Sequence, residues 1–63
     1  MDQELSVDEK RAQGILRELL RSGEITVERM AGEFGVSAST IRRDLRDLER
    51  QGLLRRTHGG AVS

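Results

Sequence analysis

The chain has 63 residues, no formal net charge at neutral pH, and no Cys, Pro, Trp or Tyr. A chain of this length buries only about 60% of its unfolded surface, so we expect one domain with a single aliphatic core. Without Cys, and with His58 as the only imidazole, we predict no enzyme activity, no metal site and no cofactor. Apolar runs never exceed two residues, so no membrane span or signal peptide is expected.

The zero net charge conceals two halves of opposite sign. Residues 1–36 carry five cations and eight acids, whereas residues 37–63 carry six arginines and three acids. Such asymmetry favours a polyanionic partner for the basic half. Ten of the eleven cations are Arg, whose planar fork can bind phosphates and guanine edges bidentately.

The first predicted helix covers residues 7–22. Ser6 followed three residues later by Glu9 matches a capping box, and Gly23 is a plausible C-terminal cap. One apolar face, widened by Leu20, follows the i, i+3, i+4, i+7 spacing through Ala12, Ile15, Leu16 and Leu19. Gly14 lies inside this helix, where glycine is less favourable than alanine, which indicates that another backbone comes close there.

A short edge strand at residues 24–26 and a second helix come next. Thr26 can cap this helix, and Gly35 ends it after about two turns. Its apolar positions again have helical spacing, which places Phe34 in the predicted core: Val27, Met30, Ala31 and Phe34.

The third predicted helix runs from residue 38 to 51, between the cap Ser37 and Gly52. If its apolar residues point inward, the opposite face carries hydroxyls and then arginines: Ser39, Arg43, Arg46 and Arg50, flanked by Thr40 and Arg42. The alternative is a solvated charged face on which Arg43 pairs with Asp47. Asp44 lies nearer the core side, so we expect it to form a structural ion pair or hydrogen bond, for example with an Arg.

Two helices joined by a turn of about three residues that contains a glycine are typical of a helix-turn-helix. Residues 53–57, the turn His58-Gly59-Gly60 and residues 61–62 then predict a hairpin. Arg55 and Arg56 alternate faces on its first strand, so one of them is expected to face a ligand. His58 is either a turn residue or a contact at the tip of the hairpin.

These motifs resemble the N-terminal DNA-binding domain of the DeoR family of bacterial transcription regulators over about residues 8–63. The matching residues are, in order, Val36-Ser37-Ala38-Ser39-Thr40-Ile41-Arg42-Arg43-Asp44-Leu45, Leu48-Glu49, Gly52, Leu54 and Thr57-His58-Gly59-Gly60-Ala61. The resemblance implies a mainly α winged helix-turn-helix with three helices and a C-terminal β-hairpin. The domain would cover residues 8–63, with the helix-turn-helix at about 25–44, the wing at about 53–63, and an N-terminal extension at 1–7.

The resemblance also implies sequence-specific binding of a double-stranded DNA operator, as part of a repressor in the bacterial cytoplasm, associated with the nucleoid. A C-terminal domain absent from this chain would bind a phosphorylated sugar and help to form homo-oligomers. Base edges and nearby phosphates are expected to be contacted by Ser37, Ser39, Thr40 and Arg43. Phosphates are expected to be neutralised by Arg42, Arg46, Arg50, Arg55 and Arg56, with His58 as a further candidate.

Two other binding functions remain open at this point. A winged-helix module that binds protein would be expected to expose apolar anchors on the third helix, and the sequence places none there. An RNA-binding domain usually stacks bases on aromatic side chains, and Phe34 is already assigned to the core.

Overall fold

Three helices and three short strands make up residues 5–63, the part of the chain that the computed structural model describes. They are α1 (Val7–Ser22), β1 (Glu24–Thr26), α2 (Val27–Phe34), α3 (Ala38–Arg50), β2 (Arg55–Thr57) and β3 (Gly60–Val62). The predicted fold class, a mainly α winged helix-turn-helix, is confirmed. Of the predicted N-terminal extension over residues 1–7, positions 1–4 lie outside the described residues.

Each helix begins at the hydroxyl cap that the sequence predicts. Ser6 and Glu9 form a reciprocal capping box, in which the Ser6 Oγ accepts the Glu9 N–H at 3.1 Å. Thr26 accepts the N–H of Arg29 at 3.1 Å at the start of α2. Gly35 ends α2 with a φ of +66°, a left-handed conformation that favours glycine at the corner before α3.

The three strands form an antiparallel sheet in the order β1-β3-β2, so the wing hairpin is extended by β1. Gly60 of β3 pairs with Thr26 of β1. A Cβ on Gly60 would lie 2.9 Å from the Ile25 carbonyl carbon, and nearer still to its oxygen. Gly60 therefore permits the pairing of β1 with β3, rather than only the hairpin turn.

The core lies where the three helices and the sheet meet. Its most deeply buried side chains come from all three helices: Ile15, Leu19, Met30, Ile41 and Leu45. The sheet closes it with Ile25, Ala61 and the neighbouring Leu54.

Two residues assigned to the apolar faces lie outside this core. Leu20 is 83% exposed, because it follows Leu19 by one position and so points about 100° away from the buried face. Phe34 is 37% exposed, because its ring lies at the end of α2 over Gly14. A Cβ on Gly14 would come within 2.7 Å of the Phe34 Cζ, so Gly14 makes room for a ring and not for another backbone.

Candidate nucleic-acid interface

The orientation of α3 follows from its buried residues. Ile41, Leu45 and Leu48 face the core, as the apolar spacing predicts. The residues that this turns outward and leaves exposed are Ser39, Arg42, Arg43, Arg46 and Arg50. The predicted rotational orientation of this helix is confirmed.

A buried ion pair fixes the same orientation from the core side. Asp44 of α3 accepts hydrogen bonds from Arg11 of α1 through both carboxylate oxygens, and the Arg11 Nη2–Oδ1 distance is 3.2 Å. Arg11 also donates to Asp8 at 2.7 Å. Its hydrogen bond to Asp44 raises the pKa of Arg11 although burial opposes this, so the guanidinium stays charged. The predicted structural role of Asp44 is confirmed.

In the first turn of α3 the N-cap side chain is hydrogen-bonded, but no acidic side chain offsets the positive end of the helix dipole. The Ser37 hydroxyl accepts the Thr40 N–H at 3.1 Å and lies 3.0 Å from the Thr40 hydroxyl, so both side chains are already engaged in the cap. No acid lies in this turn, whereas the first turns of α1 and α2 contain acids. The positive end of α3 is therefore available to a phosphate.

Ion pairing divides the six arginines of the basic half into two groups. Its three acids are all occupied, since Asp44 pairs with Arg11, Asp47 with Arg50 and Glu49 with Arg56. The predicted alternative, an Arg43–Asp47 pair, is wrong, because Asp47 pairs with Arg50 three residues later. The other four arginines of this half are exposed and form no ion pair with any of residues 5–63: Arg42, Arg43, Arg46 and Arg55.

A cleft separates α3 from the wing. Its α3 side carries Arg42, Arg46 and Glu49, and its wing side carries Arg56 and Thr57. The Glu49 carboxylate accepts the backbone N–H of Arg56 at 2.9 Å and its Nε–H at 2.8 Å. These two bonds lower the pKa of Glu49, the backbone bond contributing most. Sequence reasoning treated Arg56 only as a phosphate ligand and assigned no role to Glu49.

The tip of the wing is bound to the helix-turn-helix. Gly59 has a φ of +92° in the turn between β2 and β3, and its carbonyl accepts the N–H of Val27 at 2.8 Å, at the start of α2. His58 is exposed in this turn. Within residues 5–63, no group of His, Cys, Asp and Glu could hold a metal ion.

The exposed large apolar side chains lie outside the arginine-bearing face. They are Val7, Leu20, Phe34 and Leu53, none of which belongs to α3. Phe34 lies beside Val7, Lys10 and Val36 and not in the cleft between α3 and the wing. The described helices include none that is long and apolar enough to cross a bilayer.

A glycine-cornered helix pair, an arginine-bearing second helix and an adjoining wing define a DNA-binding domain of the winged helix-turn-helix class. The sequence profile of the DeoR-like helix-turn-helix domain matches residues 11–63, and the chain belongs to that family. The predicted resemblance is confirmed.

Several transcription regulators are similar to this chain. The transcriptional repressor AccR of Agrobacterium fabrum is 53% identical over 73% of the chain and 18% of its own length. The L-fucose operon activator of Haemophilus influenzae is 49% identical over 78% of the chain and 20% of its own length. The glycerol-3-phosphate regulon repressor of Escherichia coli is 42% identical over 84% of the chain and 21% of its own length.

The chain thus spans about a fifth of the length of these relatives. No solved structure matches it significantly.

Proposed function

We propose that residues 8–63 form a domain that binds double-stranded DNA sequence-specifically, with α3 in the major groove and the wing at about 53–63 beside it. The observation that carries this proposal is the set of four exposed arginines on α3 and β2 that have no acidic partner among residues 5–63, whereas α1 and α2 together contain one such arginine. Unpaired guanidiniums on one helix face and the adjoining strand match the phosphate and base edges of a duplex.

The proposed roles depend on the position of each residue along α3 and on the side of the helix that it occupies. Ser39, Thr40 and Arg43 lie in the first two turns, where a recognition helix reaches base edges, and Ser37 lies beside them at the cap. Phosphate contacts are assigned to Arg42, Arg46 and Arg55. The charges of Arg50 and Arg56 are already offset by acidic partners, so we expect weaker phosphate contacts from them, and His58 can reach DNA only from the tip of the wing.

We propose further that the domain belongs to a repressor. Both the Agrobacterium and the Escherichia relatives are named as repressors, whereas the Haemophilus relative is named as an activator. A C-terminal domain that binds a phosphorylated sugar and mediates homo-oligomerisation accords with the greater length of these relatives. The proposed location is the bacterial cytoplasm, at the nucleoid. The relatives are named as regulators, so we propose neither enzyme activity nor a cofactor.

Binding-site selection tests the central part of the proposal. The 63-residue chain, fused to a dimerising segment, is incubated with a pool of random duplexes, and bound DNA is sequenced over several rounds. The expected result is a repeated motif with a short conserved half-site. A pool that stays random, together with the absence of salt-sensitive duplex binding, would contradict DNA binding and favour the protein-interaction module instead.

A single domain is expected to bind weakly. Joining two DNA-binding modules often raises the overall affinity by ~10²–10⁴-fold, because the second binding event becomes intramolecular. We expect the unfused chain to bind a selected full site little more tightly than a half-site in a fluorescence anisotropy titration. Tight cooperative binding of the unfused chain to the full site would mean that this domain dimerises unaided.

A further inference from the structure

Glu49 makes the side-chain hydrogen bonds that join α3 to the wing. Among residues 5–63, its two bonds to Arg56 are the only hydrogen bonds between a side chain of α3 and any residue of β2 or β3. Arg56 lies on β2, an edge strand, and pairs with Ala61 of β3. In an antiparallel pair, alternate residues direct their N–H away from the partner strand, and Glu49 accepts such an edge N–H. The carboxylate therefore binds the backbone of the wing as well as its side chain.

Simple electrostatics predicts that this carboxylate opposes DNA binding. Glu49 lines the same cleft as Arg42 and Arg46, which have no ion pair among residues 5–63, so it adds a negative charge to the face proposed to bind DNA. A surface that binds only by charge would bind a polyanion more tightly without it.

Asp47 provides a matched comparison on the same helix. It is also a carboxylate paired with an arginine, but its partner, Arg50, belongs to α3 itself. Asp47 makes no hydrogen bond to the wing among the described residues. Removal of either acid makes α3 more positive, and only removal of Glu49 releases β2.

We propose that Glu49 is a positioning residue for DNA binding: it holds β2 against α3 at the separation at which both elements reach one duplex. This inference rests on the proposed function, because it concerns how α3 and the wing act together on DNA. In this inference, the Glu49–Arg56 pair sets the width of the cleft between α3 and the wing. Arg56 then contributes mainly through this pair, and the unpaired arginines carry the phosphate contacts.

The experiment compares Glu49→Ala, Glu49→Gln and the control Asp47→Asn with the wild-type chain. The probe is a duplex selected from a random pool by the wild-type chain. Both Glu49 substitutions remove the same charge, but the glutamine amide oxygen can still accept the backbone N–H of Arg56. A difference between them therefore reports the bond to the wing backbone and not the charge. Circular dichroism melts establish that each variant is folded at the assay temperature.

We expect Glu49→Ala to weaken binding about tenfold, the effect of losing one or two charge-assisted hydrogen bonds. Glu49→Gln should lie between Glu49→Ala and the wild type, and Asp47→Asn should bind as tightly as the wild type or more tightly. Hydroxyl-radical footprints should lose protection on the flank covered by the wing in Glu49→Ala and keep it in Asp47→Asn.

Equal or tighter binding by a folded Glu49→Ala, with an unchanged footprint, would overturn the inference and leave the proposed function intact. If Glu49→Ala does not fold, Glu49→Gln decides: weaker binding than Asp47→Asn supports the inference, and equal binding overturns it. If the wild-type chain selects no duplex, the proposed function fails, and the inference fails with it.

Discussion

The two halves of the chain use arginine differently. Between residues 5 and 36, three of the four arginines pair with acids: Arg11, Arg21 and Arg29. Between residues 37 and 63, four of the six have no acidic partner among the described residues. The second half therefore has both more arginines, six against four, and more unpaired ones within residues 5–63, four against one.

The difference has a physical consequence for a polyanionic ligand. The charge of a paired guanidinium is already offset by its carboxylate, and that carboxylate repels an approaching phosphate. An unpaired guanidinium exchanges only water and counterions, whose release favours binding. We therefore expect the buried pair of Arg11 to contribute to folding, and we propose that the unpaired arginines of the second half serve recognition.

The largest effect is expected from Asp44→Ala, which tests whether the paired Arg11 stabilises the fold. Asp44→Ala leaves the buried Arg11 charge without its main partner, a change that costs ~3–5 kcal/mol in comparable sites. A domain of this size has only about that much stability, so we expect the variant to be largely unfolded in circular dichroism. The control Asp47→Ala breaks an exposed pair on the same helix and should melt within a few degrees of the wild type. Similar melting of the two variants would show that the Arg11–Asp44 pair does not hold α3 in place.

We expect substitutions of the two wing arginines, Arg55 and Arg56, to change the salt dependence of DNA binding by different amounts. Arg55 is unpaired among the described residues, so Arg55→Ala should reduce the slope of log K against log salt by roughly 0.9. Arg56 is bound to Glu49, so Arg56→Ala should weaken binding with a smaller change of slope. Equal losses of slope, measured by anisotropy over a range of salt, would mean that Arg56 also binds phosphate and that pairing does not decide the role.

The smallest expected effect is a lowered pKa of the Glu49 carboxyl group. Because the Arg56 backbone N–H and guanidinium stabilise the charged form, the folded pKa of Glu49 is lowered. The pair therefore stabilises the fold above the unfolded pKa of Glu, about 4.3, and this contribution is lost as the pH falls through the lower, folded value. Carboxyl ¹³C shifts should give Glu49 a titration midpoint below that of an unperturbed Glu, and Arg56→Ala should raise it only in part, since the backbone N–H remains. A midpoint at the unfolded value would contradict the Glu49–Arg56 bonds.

Local chemistry explains what the sequence predicts correctly. The caps at Ser6, Thr26 and Ser37, and the end of α2 at Gly35, depend on residues within one helical turn, so the helix boundaries follow directly. The phase of α3 follows from three aliphatic residues on one face. The turn glycine and the hairpin signal predict a helix-turn-helix followed by a hairpin, and the family resemblance implies the winged helix-turn-helix class.

The remaining features depend on contacts between distant segments. Arg11 and Asp44 are 33 residues apart, and nothing local predicts that they meet. Periodicity places Phe34 on an apolar face and Leu20 beside one. It does not predict whether a neighbouring element extends far enough to cover these side chains. The Glu49–Arg56 bond was missed because it depends on how the wing folds back on α3, although Glu49 lies within the family motif.

The most direct test of the account removes one unpaired arginine from each half. Arg43→Ala acts on the outward face of α3, and Arg17→Ala removes an exposed arginine of α1 that likewise has no ion pair among residues 5–63. Both variants should fold like the wild type. Arg43→Ala should cost ~1–3 kcal/mol of affinity for the selected duplex and flatten the base preference at one or two positions, and Arg43→Lys should not fully restore it. Arg17→Ala should leave both properties unchanged; equal effects of the two alanine variants, or no effect of a folded Arg43→Ala, would contradict the account.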